Sequence, residues 1–186
     1  MDTPPLPRRK TIRLQNYDYS QNGAYFVTIC TAHKLPLFGV VRRGDPCGRP
    51  PVPVYAELSE IGRIVESYLT EIPSHYPDVH LASYVIMPDH IHMILVLTQN
   101  QPERAGQCPA PTEESDLSCR RGGTPGPPAL PKIINAFKSL TTRKAGCSLW
   151  QRGYYEHILR NQQDFDEAAG YIAGNPVRRL EREGFW

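Results

Sequence analysis

The uneven distribution of proline restricts most strongly where this chain can form a packed core. Of its 19 prolines, four lie in residues 42–54 and seven in residues 99–131, and the second stretch also contains four glycines. Segments of this composition bury too little apolar surface to offset the entropy lost on ordering. We therefore predict a single domain over residues 1–186 that carries two flexible surface insertions at these positions.

Outside the insertions, strand-like and helix-like segments alternate. Runs rich in β-branched and aromatic residues predict strands at residues 25–31, 81–87, 90–97 and 154–159. Apolar residues at helical spacing predict helices at residues 58–68 and 131–145, and a third helix over 164–175 is expected to stop at Pro176. Ser59 is a plausible N-cap of the first helix, and the turn residues Pro88 and Asp89 predict a hairpin between the second and third strands. The order β, α, β, β, α, β, α is that of a split βαβ unit with one extra helix. The expected fold class is therefore α+β: a ferredoxin-like antiparallel sheet with helices on one face plus a C-terminal helix.

Composition excludes several classes of protein. No apolar run approaches the ~20 residues that cross a bilayer, and the N-terminus has no apolar core of a secretory signal. The five cysteines include no Cys-x-x-Cys pair, which favours reduced thiols over a zinc ribbon or a disulfide framework. We expect a cytoplasmic protein. The net charge of +2 is too small to indicate a nucleic-acid binder by itself.

Two histidines open the most apolar predicted strand. Side chains alternate along a strand, so His90 and His92 should point to one face and Ile91 to the other. Two imidazoles on one face are natural ligands for a divalent metal. The alternative is a pair of polar residues on a solvent-facing strand. The position of the pair in a hydrophobic run favours the metal site, because buried polar groups need partners.

The last predicted helix offers residues to complete such a site. Tyr171 and Asn175 are spaced i and i+4, so they share a helix face. A residue before proline disfavours the helical conformation, so we expect Asn175 at a frayed helix end, from which its amide oxygen can reach a metal. A phenol beside a metal is a possible nucleophile. The alternative for Tyr171 is ordinary packing against the sheet.

The sequence resembles the single-tyrosine HUH transposases of the IS200-like type, specifically the REP-associated tyrosine transposases. The resemblance runs from Arg9 to Pro176, interrupted by the two insertions. Four motifs in order carry it: GAYFVT at residues 23–28, YVIMPDHIH at 84–92, WQRGYY at 150–155 and YIAGNP at 171–176.

This resemblance implies a function. His90 and His92 would be the HUH pair of metal ligands, Asn175 the third ligand and Tyr171 the nucleophile on a catalytic C-terminal helix. The resemblance favours Mg²⁺ or Mn²⁺, whereas the ligand types alone also permit Zn²⁺ or Ni²⁺. It implies single-stranded DNA with a hairpin as the partner, and hence association with the nucleoid. Attack by Tyr171 would leave a 5′-phosphotyrosine bond and a free 3′-OH. We expect a monomer, with a homodimer as the alternative.

Basic and aromatic residues are candidates for DNA contact. Candidate phosphate contacts are Arg8, Arg9, Lys10, Arg13, Lys138, Arg143, Lys144 and Arg152. Candidate stacking residues are Tyr17, Tyr19, Trp150, Tyr154 and Tyr155, although core packing is favoured for Trp150 and for one of the last two. His157 is expected to be a polar strand residue.

Two other functions stay open at this point. A non-catalytic single-stranded nucleic-acid binding protein would bind without metal and without cleavage. A small metallohydrolase would use metal-bound water, so it would form no covalent adduct and would be indifferent to Tyr171.

Overall fold

A computed structural model describes residues 22–43, 54–98 and 129–182. Its main sheet is built around two central strands. The elements are β1 (Gly23–Cys30), β2 (Gly39–Arg42), β3 (Tyr55–Leu58), α1 (Glu60–Thr70), α2 (Ile72–His75), β4 (Val79–Met87), β5 (His90–Leu97), α3 (Leu130–Ala145), β6 (Tyr155–Leu159) and α4 (Gln162–Arg182), with a 3₁₀ turn at Ala32–Lys34. β1 and β5 pair in the middle of a four-stranded sheet of order β4-β5-β1-β6, and every neighbouring pair is antiparallel. The predicted α+β class and split βαβ order are confirmed.

The sheet separates two apolar layers because the central strands are hydrophobic on both faces. On one face, odd-numbered residues of β1 and β5 pack against α1 and α3; this layer includes Ile29, Ile91, Leu69 and Phe137. On the other face, α4 covers a smaller cluster centred on Ile94 and Ile172. The strand alternation therefore directs His90 and His92 towards α4 and Ile91 into the main core.

The predicted hairpin and the first helix cap are confirmed. Met87 pairs with His90 across the two-residue turn Pro88–Asp89, which joins β4 to β5. At the start of α1, the Ser59 hydroxyl accepts a hydrogen bond from the Gly62 N–H at 3.0 Å.

The prediction that Pro176 ends the last helix is wrong. α4 continues to Arg182 with Pro176 in its interior, so Asn175 lies inside the helix and not at a frayed end. Proline inside a helix costs about 3 kcal/mol. Burial of Asn175, Pro176 and Leu180 offsets that cost.

The two predicted insertions fall largely outside the described residues. Residues 44–53 and 99–128 are not described, whereas Arg42 ends β2 and Pro131 lies in the first turn of α3. The two-stranded sheet β2–β3, which flanks the first of these segments, was not predicted; each strand has only four residues and little hydrophobic alternation.

Gly62 gives a test of the packing between α1 and the loop before β2. A methyl group there would overlap the carbonyl oxygen of Phe38, a backbone atom that also accepts the Ser59 N–H at 2.9 Å. We expect Gly62→Ala to lower the free energy of unfolding by about 1–3 kcal/mol. At Gly170, within α4, no heavy atom of the described chain would lie within 4 Å of the new methyl. Gly170→Ala should therefore stabilise by roughly 0.5–1 kcal/mol. Urea unfolding of both variants checks this, and equal effects would contradict it.

Candidate active site

The site begins with the two histidines at the start of β5. Their rings are 4.6 Å apart between centroids and nearly perpendicular, at 72°. His92 is 5% exposed, and His90 is partly exposed at the mouth of a cavity beside α4. Both imidazoles therefore face the same cavity, which we call the histidine cavity.

Hydrogen bonds fix the imidazole orientations. Nδ1 of His90 lies 2.7 Å from Oδ1 of Asp89; a carboxylate only accepts, so Nδ1 donates, and in the neutral imidazole this leaves the lone pair on Nε2. Nδ1 of His92 lies 2.7 Å from the Thr28 hydroxyl. Nε2 of His92 is buried and has no hydrogen-bond partner among the described residues. Both Nε2 atoms are thus available to a ligand, and a carboxylate behind the first imidazole is a common support for metal-binding histidines.

Burial controls the charge of His92. Burial and the neighbouring His90 together lower the pKa of His92 from 6.5 to about 3, although the charge of Asp89 opposes the shift. His92 is therefore neutral near pH 7, the state in which an imidazole nitrogen can donate its lone pair to a metal.

Asp89 connects the histidines to α4. Nη1 of Arg179 lies 3.3 Å from both carboxylate oxygens of Asp89. Burial by itself would raise the pKa of the Asp89 carboxyl, but the hydrogen bond and charge of His90, with those of Arg179, hold that pKa below its ordinary value. Asp89 thus stays ionised as the acceptor for His90.

α4 brings the predicted nucleophile and the predicted third ligand to the same cavity. The Tyr171 ring lies edge-on to His92, with centroids 5.2 Å apart, and its side chain is 37% exposed. Phe26 contacts it edge-on at 6.0 Å, and the Arg178 guanidinium lies 5.0 Å above the ring. Asn175 is 3% exposed and also lines the histidine cavity. The structure therefore brings together all four residues to which the resemblance assigned catalytic and ligand roles.

The histidine cavity is positively charged. It has a volume of about 360 Å³, and Lys34, Arg179 and Arg182 line it with a single carboxylate, Asp89. Lys34 comes from the 3₁₀ turn after β1, where its backbone is left-handed (φ 56°). A cavity with this excess of cations suits a phosphodiester.

The residues present fit a small divalent cation. Besides Nε2 of His92, the amide nitrogen of Asn175 is buried without a hydrogen-bond partner in the described chain, and a 180° rotation of that amide places its oxygen there instead. The imidazole donors of this set suit transition metals such as Zn²⁺ or Ni²⁺, whereas an amide oxygen also suits Mg²⁺ or Mn²⁺. No group of three His, Cys, Asp or Glu side chains suited to a metal occurs in residues 22–43, 54–98 and 129–182, so the amide is needed to complete the set.

The predicted DNA-contact residues lie in three places. The N-terminal residues Arg8, Arg9, Lys10 and Arg13, with Tyr17 and Tyr19, lie outside the described residues. Arg143 and Lys144 are exposed in the last turn of α3, and Arg152 is exposed in the loop before β6. Arg143 and Arg152 line a groove of about 540 Å³. Lys138 also lines this groove, but its amine donates to the carbonyls of Gln151 and Gly153 at 2.8 and 2.9 Å. Lys138 therefore ties α3 to the loop before β6.

The aromatic residues divide as predicted between core and surface. Trp150 is buried, and its indole N–H donates to the Thr141 hydroxyl at 2.9 Å. Tyr154 packs against the core, whereas Tyr155 is 49% exposed. His157 is an exposed residue of β6.

Sequence reasoning missed the residues that support the site. Thr28, Lys34, Arg178 and Arg179 were not assigned to it, and Asp89 was read only as a turn residue. The position of Thr28 could have been predicted, because strand alternation places it on the same face of β1 as Phe26. The other contacts depend on how α4 crosses the sheet, which no local pattern specifies.

Comparisons with known proteins agree with this architecture. No family model matches the chain. An uncharacterized protein of Haemophilus influenzae is 30% identical over 177 residues, which is 92% of this chain and 90% of that protein. A second protein of the same organism, named "Putative REP-associated tyrosine transposase", is 23% identical over 89% of this chain and 77% of its own. The chain is therefore similar, over most of its length, to a protein named as a REP-associated tyrosine transposase.

A solved structure shows the same fold. It is that of a REP-associated tyrosine transposase bound to a REP hairpin, and it covers 90% of this chain and 73% of its own with a TM-score of 0.54 at 18% identity. At this identity the likeness concerns the fold. Among the described helices of this chain, none is both long and apolar enough to cross a membrane.

The buried, neutral state of His92 predicts a pH dependence of stability. As the pH falls below 6.5, His92 becomes protonated in the unfolded chain, whereas in the folded chain it stays neutral until about pH 3. The free energy of unfolding therefore decreases as the pH falls. In protein freed of metal by a chelator, we expect the protonation of His92 alone to lower the free energy of unfolding by about 2 kcal/mol between pH 7.5 and pH 5.

Urea unfolding at both pH values measures this loss. His92→Gln should remove most of it, whereas His75→Gln, at an exposed histidine on α2, should keep it. An unchanged pH dependence in His92→Gln would show that His92 is not the group responsible.

Proposed function

We propose that this chain is a divalent-metal-dependent DNA endonuclease and strand transferase that acts on single-stranded DNA near hairpins through a covalent 5′-phosphotyrosine at Tyr171. One observation carries the proposal: the Tyr171 ring lies 5.2 Å from the His92 ring and lines the same cavity as His90 and Asn175. A nucleophile, two imidazoles and an amide therefore meet at one positively charged place.

The cation in this proposal is Mg²⁺ or Mn²⁺, held by His90, His92 and Asn175. When bound, it would neutralise charge on the scissile phosphate and polarise its P–O bond. Asp89 and Thr28 support this role, because each occupies an Nδ1 and directs the opposite nitrogen of its histidine to the cavity.

The other residues of the cavity bind and orient the reactants. Lys34, Arg179 and Arg182 attract the phosphodiester, and Phe26 and His92 hold the edges of the phenol. The Tyr171 oxygen forms a bond to phosphorus while the bond from phosphorus to the 3′-oxygen breaks. The phenol gives up its proton, and the 3′-oxygen takes one up as it leaves.

The covalent bond conserves the energy of the broken phosphodiester. A 3′-OH can later attack the phosphotyrosine, re-form a phosphodiester and release the phenol, so strand transfer needs no nucleotide cofactor. The monomer is the simpler assembly under this proposal, because one described chain contributes all four residues to the cavity.

Tyr171→Phe tests the nucleophile. Hairpin oligonucleotides with randomised single-stranded flanks and a label at either end are incubated with protein and Mn²⁺ and separated on a denaturing protein gel. The wild type should retain the 3′-end label as a covalent adduct and release the 5′-labelled fragment with a free 3′-OH. Tyr171→Phe should form no adduct, a loss of at least ~10³-fold, because the phenyl ring has no oxygen to attack phosphorus.

Tyr55→Phe is the matched control, since Tyr55 is a similarly exposed tyrosine on β3, away from the histidine cavity. It should form the adduct as the wild type does. An adduct in Tyr171→Phe would identify a different nucleophile. Cleavage without any adduct would favour a metallohydrolase, and binding without cleavage would favour the non-catalytic binding protein.

Replacing both His90 and His92 by Ala tests the metal ligands. We expect the double variant to lose Mn²⁺ binding in calorimetry of the metal-free protein, and with it the metal-dependent adduct, because only the amide ligand remains. Circular dichroism should show a retained fold. The double variant His75→Ala, His80→Ala removes two exposed histidines outside the cavity and should bind Mn²⁺ normally. Undiminished Mn²⁺ binding after loss of His90 and His92 would place the metal elsewhere.

A further inference from the structure

Tyr171 borders a second cavity of different chemical character. This cavity, which we call the β6 cavity, has a volume of about 430 Å³ and lies between β6 and the first turns of α4. It shares Thr28, His92 and Tyr171 with the histidine cavity. Any group bound in it would lie directly beside the proposed nucleophile.

The β6 cavity is unsuited to a phosphate. Its lining in the described part of the chain contains no lysine or arginine, but it does contain the carboxylates of Asp164 and Glu167. The histidine cavity, by contrast, is lined by three cations. A strand lying across Tyr171 would therefore place its charged backbone in the histidine cavity and an uncharged group in the β6 cavity.

Aromatic side chains make the β6 cavity suitable for a flat ring. Tyr155 lies opposite Thr28 in the β1–β6 register, and His157 lies opposite Phe26, so their side chains share the face that α4 covers. Tyr155 is 49% exposed although it borders a cavity, which leaves a ring surface open for stacking. Unpaired bases commonly stack on such rings.

We propose that the β6 cavity binds one unpaired nucleobase next to the scissile phosphate and that Asp164 and Glu167 select a base that carries an exocyclic amino group. The proposal rests on the proposed function, because it takes the scissile phosphate to lie at Tyr171. It assigns a specificity role to residues outside the metal and nucleophile set.

The two carboxylates can accept hydrogen bonds from such a base. Oδ2 of Asp164 accepts the Arg160 N–H at 3.1 Å, and Oε1 of Glu167 accepts the Gln163 amide at 3.0 Å. Each carboxylate has two oxygens with about four lone-pair sites, so each can accept further hydrogen bonds besides this one. Adenine, cytosine and guanine offer an amino group, whereas thymine does not.

Binding measured without cleavage tests the base cavity. Tyr171→Phe protein in EDTA selects from a pool of hairpin oligonucleotides with randomised single-stranded flanks, and the bound fraction is sequenced. We expect one flank position to be depleted of thymine. Adding Glu167→Gln should reduce that bias, whereas Asp166→Asn, an exposed neighbour on α4 that does not line the cavity, should retain it.

Affinity for a preferred oligonucleotide tests the stacking surface. Adding Tyr155→Ala should weaken binding by roughly 5- to 150-fold, the loss of one stacked base. Tyr55→Ala, at a tyrosine of nearly equal exposure on β3, should leave binding unchanged. Equal binding by the two alanine variants, or no base preference at any flank position, would overturn the proposal.

The two proposals fail separately. A base preference that depends on Glu167, in a protein that forms no adduct with Mn²⁺, would support the base cavity and contradict the covalent mechanism. An adduct formed at flanks of any sequence, with no effect of Tyr155→Ala on binding, would support the mechanism and contradict the base cavity.

Discussion

Asp89 holds together the three elements that form the histidine cavity. Its side chain accepts from His90 at the start of β5 and pairs with Arg179 on α4. Its backbone oxygen accepts from the N–H and the hydroxyl of Thr31, just beyond β1, at 2.9 and 3.0 Å. A partly buried ion pair contributes little net stability after its desolvation cost, so the main effect of this network is geometric. It sets the distance between the imidazoles and α4.

Contacts beyond Pro176 explain why α4 continues past an internal proline. A helix that stopped at Pro176 would remove the contact of Arg179 with Asp89 and expose the buried side chain of Leu180. Continuing the helix costs one backbone hydrogen bond but keeps both contacts. The consequence for the site is that Asn175 is presented by ordered helix with a buried amide. A ligand held in this way loses less conformational entropy on binding than one at a frayed end.

The sequence predicted much of the fold because local patterns specify it. The alternation of side chains in β5 predicted that His90 and His92 share one face, and Pro88–Asp89 predicted the hairpin turn. The structure confirms both predictions. The end of α4 was predicted wrongly because the rule for proline is local, whereas the burial of Leu180 is a tertiary effect. The roles of Arg179 and Lys34 could not be read from sequence, since their contacts join segments far apart along the chain. The predictions for the N-terminal basic arm concern residues outside the described ranges.

The position of Tyr171 between two unlike cavities has a consequence for specificity. If only cations surrounded the Tyr171 phenol, we would expect it to attack phosphodiesters of any sequence, because contacts to the DNA backbone carry no sequence information. Here the same residue also borders the β6 cavity, which contains carboxylates of α4 and exposed aromatic rings of β6. β6 is an edge strand of the sheet, so its side chains can change without disturbing the central β1–β5 pair. Under the two proposals, the chemistry would depend on the sheet centre and the middle of α4, whereas base selection would depend on β6 and the first turns of α4.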